Sequence, residues 1–426
     1  MAMSVLDAGI VSVALPTIAA DIGSSPASSI WVINAYQIAI IMALLPAGAL
    51  GATLGHRRVY LAGLVLFTVA SVACTLSQNL PALTVARFAQ GLGAAAMMAL
   101  NGALMRAVYP RALFARGIGW NGMVIAVTAA AGPSLAVALL SVASWPSLFA
   151  VNLPLGLLSL TLGAAFLPRS RAVGGEFDGI AALGTAAGFG ALFICLAGLA
   201  GNLPVAWSAI AFPLGIGTAL AVAPRLRGRD QPLVPIDLIQ KPTLRGAYLA
   251  SICAFAAQGC VLVTLPFILH RLGFGIAAIG LMITPLPVGV ALASVVAGRL
   301  LGRWSSPRTA MSGLVVATAS LIGLVGVMVT WPVPPVVALG MATFGCGFGL
   351  FQTSNNQIML TGAPLPRAGA ASTMLSLARV LGQLLGALIG ATGLNGAGSA
   401  PMLPLIGAAV ATAFALAVLL KHRRSD

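Results

Sequence analysis

Leu6-Asp7-Ala8-Gly9-Ile10-Val11-Ser12-Val13-Ala14-Leu15-Pro16 sets one carboxylate inside an otherwise apolar or small-residue run. The chain holds seven acids: Asp7, Asp21, Glu176, Asp178, Asp230, Asp237 and Asp426. Six of them fall at the ends of apolar stretches, between stretches or at the C-terminus. Asp7 alone sits well inside one. A carboxylate at membrane depth costs about 3 kcal/mol or more, and by default it marks an ion or substrate path.

Composition decides what surrounds that carboxylate. Of 426 residues, 59% are hydrophobic and 7% charged, and the mean hydropathy is +1.04. Soluble proteins average about 25% charged residues. This chain lacks the polar surface to cover a core in water, and it reads as an all-α polytopic membrane protein. The net charge of +15 raises nucleic acid as a partner. That partner needs basic residues gathered on one folded face. Here they fall singly or in short groups between apolar runs, so the lipid bilayer is expected as partner and nucleic acid is not. Cys74, Cys195, Cys253, Cys260 and Cys346 lie in apolar runs without metal-ligand spacing and read as reduced, packed thiols. No metal site is expected. The start of the chain shows neither the basic region nor the cleavage site of a secretory leader.

A span needs roughly 20 apolar residues. Fourteen are read, at about 4–20, 30–51, 59–77, 81–105, 117–141, 146–167, 178–200, 205–224, 244–269, 276–298, 309–330, 335–360, 368–394 and 401–420. The seventh and eighth are short and parted by Gly201-Asn202-Leu203-Pro204. Basic residues test the count. His56-Arg57-Arg58 follow span 2, Arg106, Arg111 and Arg116 span 4, and Arg169 and Arg171 span 6. Arg225, Arg227, Arg229, Lys241 and Arg245 follow span 8, Arg299, Arg303 and Arg308 span 10, Arg367 span 12, and Lys421, Arg423 and Arg424 span 14. The opposite loops hold Arg271 alone. Positive charge stays on the cytoplasmic side, so both termini are expected there.

Gly48-Ala49-Leu50 is followed by Arg58 ten residues after Gly48, and Gly298-Arg299-Leu300 by Arg308 ten residues after Gly298. Chance recurrence in a Gly-rich, Arg-flanked chain is one reading. The other is an internal repeat of two six-span halves. It divides the chain into an N-terminal bundle at 1–167, two inserted spans with a basic cytoplasmic linker at 168–243, and a C-terminal bundle with a short basic tail at 244–426. Repeats of this kind put a transporter's site near the midplane between the halves.

The residues also match a known pattern. Leu6-Asp7 with Val11 and Ala14-Leu15-Pro16, then Trp31, Asn34 and Tyr36, then Arg87-Phe88-Ala89-Gln90-Gly91-Leu92-Gly93-Ala94 follow one another in order. Gly132-Pro133, then Phe149, Asn152, Pro154 and Gly156, then Pro232 to Leu238 continue the series. In order and spacing the chain resembles the fourteen-span drug:proton antiporter branch of the major facilitator superfamily, the quaternary-ammonium and multidrug exporter type. The resemblance runs from span 1 to span 13. It implies a major facilitator fold, with two six-helix bundles and two extra spans between them. It implies proton-coupled export, by alternating access, of lipophilic compounds, cationic or neutral. No cofactor is implied beyond the proton gradient. The setting is the bacterial cytoplasmic (inner) membrane, with the chain acting as a monomer.

Site residues follow from the same resemblance. Asp7 and Arg87 are the expected proton-coupling pair. An arginine inside an apolar span needs a carboxylate, carbonyls or water. Gly48, Gly55, Arg57 and Arg58 form the span 2–3 loop motif, Gly91 belongs to span 4, and Gly132 and Pro133 are the hinge or seal of span 5. Trp31, Asn34, Tyr36, Gln37, Asn121, Gln258, Gln352, Asn355 and Arg379 are cavity candidates, because polar groups at this depth must face protein or water. For Arg379 a carbonyl-capping role is favoured over substrate contact. Gly382, Gly386 and Gly390, four residues apart, read as a close-packing face.

The chain departs from the family pattern in three places. Ala52 and Thr53 stand where the loop motif has Asp and Arg, so the lock between halves is expected to be weaker or made otherwise. Six residues precede Asp7, fewer than usual, which leaves its depth open between midplane and interface. The second half has no acid within a span, which argues for monocationic or neutral substrates. These departures keep a second function open, a transporter-like membrane sensor or scaffold that does not transport. An enzyme is not expected: no nucleophile–base pair, metal cluster or phosphate loop is visible.

Overall fold

The apolar runs become helices because lipid offers backbone N–H and C=O groups no partner, so each run must bond within itself. In a computed structural model of the chain, the residues described are 2–24, 26–29, 31–168, 177–199, 204–226, 234–301, 303–330, 333–395 and 402–423. In chain order the helices are α1 (Ala2–Ile22), α2 (Pro26–Ser29), α3 (Trp31–Leu54), α4 (His56–Thr75), α5 (Leu80–Val108) and α6 (Phe114–Leu140). Then come α7 (Ser147–Ala150), α8 (Asn152–Phe166), α9 (Gly179–Leu199), α10 (Val205–Leu226), α11 (Ile236–Gln240) and α12 (Pro242–Arg271). The last are α13 (Ile276–Ile283), α14 (Pro285–Leu300), α15 (Ser306–Thr330), α16 (Pro334–Thr361), α17 (Ala368–Asn395) and α18 (Leu403–Arg423).

Thirteen stretches are long and apolar enough to cross a membrane, and α1 supplies a shorter apolar one, Ala2–Leu15. Each of the fourteen expected spans has its helix, with α7–α8 and α13–α14 each making one span. The helices form two six-span bundles, and α9 and α10 pair with each other, with α9 lying against α3 and α17. The Gly201-Asn202-Leu203 break, the linker arginines Arg169, Arg171, Arg227 and Arg229, the motif residues Pro232 and Leu233, and Arg424 lie outside the described residues.

The two Gly-x-Leu segments occupy matching places. Gly48 of α3 abuts Thr373 of α17, in the other half. Gly298 of α14 abuts Ala115, Arg116 and Gly119 of α6, again across the halves. Each bundle therefore lends a bare glycine to its partner near the basic loops. Gly55, at φ +95°, makes the tight turn from α3 to α4, a conformation other residues rarely adopt.

The halves are held together on that same basic face. Arg106 Nη1, in the last turn of α5, donates to the carbonyls of Leu360 (2.6 Å) and Ala363 (2.8 Å) at the end of α16. Gly102 N donates to Ser372 Oγ (2.9 Å), and Ser376 Oγ donates to Met98 O (2.8 Å). The His56 ring lies against Gly369 at the start of α17. Thr53, where the family pattern has its arginine, only bonds back to Leu50 O of its own helix (3.2 Å). The lock is thus built from Arg106, serines and His56 rather than from the loop acid. Arg57 donates to Ala164 O of α8, within its own half, and Arg58 is exposed.

Gly382, Gly386 and Gly390 set α17 against α12. A Cβ on Gly382 would meet Ile252 O at 2.6 Å, and one on Gly386 would run into the Ala256 carbonyl and Cys260 N. Small residues allow this approach, and added volume forces the helices apart. Gly386→Val is expected to lower the unfolding midpoint of purified protein in detergent, by an overpacking cost of about 1–3 kcal/mol. Gly326→Ala, with open space around it, is the control and is expected to leave the midpoint unchanged. Equal behaviour of the two would remove the packing role.

Candidate functional site

Asp7 and Arg87 come from spans 1 and 4 and meet in the interior of the first bundle, each 1% exposed. Arg87 Nη1 donates to Asp7 Oδ2. The other carboxylate oxygen, Oδ1, accepts from Gln90 Nε2 (3.0 Å) and Asn152 Nδ2 (2.7 Å). Gln90 Nε2 also donates to Ser71 Oγ (2.9 Å), and Gln90 Oε1 accepts from Arg87 Nη1. Arg87 Nε donates to Val32 O at the start of α3 (3.1 Å). The guanidinium lies over the Tyr36 ring (4.2 Å) and near the Phe149 ring (5.7 Å), where ring quadrupoles favour a cation. Tyr36 Oη donates to Ser4 O (3.2 Å), so this ring is held between α3 and α1.

Five spans deliver the cluster: α1, α3, α4, α5 and α7–α8. Their close approach depends on glycines. Gly91 leaves no room for a side chain against Tyr36 O and Ala39, whereas Gly9, two residues past Asp7, faces Gly132 of α6 at ordinary van der Waals spacing. Pro133, beside that contact, is itself exposed. Arg87 fits its depth because α5 is long. Nineteen residues (106 − 87 = 19) part it from Arg106, roughly 28 Å of helix. Asp7 lies level with Arg87, far from the basic loops, so it is not a helix-end charge at that interface.

A second site lies between the halves. A cavity is lined by Met98, Asn101, Gly102 and Met105 of α5, Ile118 and Asn121 of α6, Asn356 and Leu360 of α16, and Ser372, Leu375, Ser376 and Arg379 of α17. Of the cavity candidates, Asn121 and Arg379 line it. Tyr36 belongs to the Asp7 cluster instead. Asn355 ties α16 to α12 by donating to Ala247 O (2.9 Å). Trp31, Asn34, Gln258 and Gln352 line no part of it. Gln37 is exposed and also lies outside it. A polar residue in a span does not reveal which way its helix turns it. Gln90, Asn152 and Ser71 had no role assigned from sequence. Gln90 carries a signal, since three residues past Arg87 it shares that helix face; Asn152 carries one as part of the Phe149, Asn152, Pro154, Gly156 pattern, and Ser71 carries none.

The carboxylate and the cavity are separate. Eleven residues of α5 (98 − 87 = 11), roughly 16 Å, lie between Arg87 and Met98. In this conformation Asp7 is sealed among its own partners and does not touch the cavity wall. Among the described residues no group of three His, Cys, Asp or Glu side chains has the makings of a metal site.

Comparison with known proteins agrees with this architecture. The chain is 41% identical over 405 residues to the uncharacterized transporter YebQ of Escherichia coli (strain K12), covering 93% of this chain and 87% of that one. It is 32% identical over 390 residues to the multidrug resistance protein Stp of Mycobacterium tuberculosis (strain ATCC 25618 / H37Rv), covering 90% and 72%. The human organic anion transporter MFSD10 (TETRAN) has the same fold, with TM-score 0.73 over 98% of this chain and 96% of that one, at 15% identity. The sequence pattern of the Major Facilitator Superfamily matches residues 1–387, and the chain belongs to that family.

Proposed function

We propose that this transporter is a proton-coupled exporter of lipophilic small molecules, of the fourteen-span drug:proton antiporter branch. It would act as a monomer in a bacterial cytoplasmic membrane, with both termini inside. The observation that carries the reading is the Asp7–Arg87 pair. Among the described residues Asp7 is the one carboxylate deep within a span, and it has a charged partner poised to trade it for a proton. Stability does not explain such a pair, because apolar replacements of buried ion pairs are often neutral or stabilising.

The geometry suits proton exchange. Protonating Asp7 removes the attraction that holds Arg87 to it. Arg87 then keeps Val32 O, Gln90 Oε1 and two ring faces, so the pair can part without leaving the guanidinium bare. The protonated carboxyl gains a donor, and the Gln90 amide oxygen is the nearby acceptor. Gln90 thus lies at the centre of both protonation states. The relatives whose names describe multidrug resistance support export as the direction. With the basic face cytoplasmic, the contacts from Arg106 to Leu360 and Ala363 would close the inner side.

Two results test the reading. Purified protein in weak buffer is expected to release protons when a lipophilic substrate from a dye panel of either charge is added. Asp7→Asn is expected to release none, and equal release from both would move the proton to another group. In the second test, Arg87→Met leaves a buried carboxylate without its cation and lowers stability by about 3–5 kcal/mol. Adding Asp7→Asn to that variant is expected to recover most of the loss, read as the unfolding midpoint in detergent. A double variant no more stable than the single would show that the charge pair does not govern the site.

A further inference from the structure

Arg379 differs from Arg87 in what surrounds it. Both are buried, Arg379 at 6% exposure. Arg87 has a carboxylate, a carbonyl and an amide oxygen. Arg379 lines the cavity between the halves, and its Nε has no hydrogen-bond partner. Its nearest aromatic neighbour is the Phe255 ring, 5.4 Å from Cζ. A ring face attracts the cation but cannot accept its in-plane N–H groups.

No described carboxylate offsets this charge. Asp7 is occupied by Arg87, Gln90 and Asn152. Asp21 accepts from Trp145 Nε1, and Asp178 caps the start of α9 at Ala181 N. Asp237 pairs with Arg367. The described cavity wall is therefore cationic, with Asn121 and Asn356 as further donors, Asn101 donating to Asn121 Oδ1 (3.3 Å), and Met98 and Met105 as adaptable apolar surface.

We infer that this cavity, which at about 20 Å³ holds little more than a water in the conformation described, widens as the halves part to take lipophilic organic anions, a carboxylate or sulfonate on an apolar body, with Arg379 as the anion-binding residue. The inference rests on the export reading and names its substrate class. A buried cation without a partner is costly. An entering carboxylate or sulfonate supplies the missing acceptors in the paired geometry that a guanidinium fork matches. A cation entering the same space meets like charge in an apolar wall. The expectation of monocationic or neutral substrates drew on the lack of acids in the second half. That same lack is what leaves Arg379 without an acid to pair with.

The test uses two probes of one shape and opposite charge, naphthalenesulfonate and naphthyltrimethylammonium. Equilibrium dialysis against the purified full chain in detergent is expected to show saturable sulfonate binding, tighter than ammonium binding by about tenfold or more, the worth of one charge-assisted hydrogen bond. Arg379→Gln is expected to abolish that preference, and Arg379→Lys to keep part of it. Arg379→Gln removes an unpaired buried charge, so an equal or higher unfolding midpoint accompanies the loss. Ammonium bound as tightly as sulfonate, no saturable sulfonate binding, or a preference that survives Arg379→Gln would each overturn the inference. Counterflow in proteoliposomes separates it from the reading beneath. Arg379-dependent sulfonate binding without counterflow would leave the anion site standing and overturn export. Counterflow of the ammonium alone would keep export and overturn the anion site.

Discussion

A charge pair held out of water in the first bundle sets terms that the surrounding helices have to meet. Asp7 and Arg87 come from helices eighty residues apart in sequence (87 − 7 = 80), and both are almost wholly buried. Burying them costs several kcal/mol unless each remaining lone pair and N–H finds a partner. Gln90, Asn152, Val32 and Tyr36 supply those partners from α5, α8 and α3. Helices deliver short polar side chains to one point only when their backbones lie close. The Gly63–Gly93 contact and Gly91 against Tyr36 are the means. Packing and polar chemistry in this bundle are therefore one requirement.

The long helix α5 joins the working parts. It carries Arg87 towards one end, the cavity residues Met98, Asn101 and Met105 beyond its middle, and Arg106 at the basic face. The arginine of the buried ion pair, the cavity and the inter-bundle contact therefore sit on one rigid rod. A tilt of α5 that parts Arg87 from Asp7 also moves Gly102 against Ser372. The pair does not need to face the cavity to influence it.

Span number and the burial of Asp7 and Arg87 within spans were legible in sequence, because apolar length and a charge within an apolar run are one-dimensional signals. The depth of Asp7 was not, since it depends on which residue of α5 stands opposite. The cavity wall was legible only in part. These helices are apolar on nearly all sides, so their patterns do not fix their rotation, and polar residues such as Asn355 and Asn121 look alike until neighbours are placed. Asn355 became a tie between helices, while Asn121 reached the cavity. Arg379 was read as a capping residue. Its missing partners emerge only once the described acids are assigned elsewhere.

The inner contact deserves one last consideration. Arg106 holds the Leu360 and Ala363 carbonyls, Ser372 accepts from Gly102, and Ser376 donates to Met98. The Arg106 bonds are charge-assisted and partly buried, and those of Gly102 and Ser376 are buried. Opening the seam lets water take over these donors and acceptors, and closing it requires those waters to leave. The seam is in this sense a drying transition, and the activity of water bears on how readily it opens.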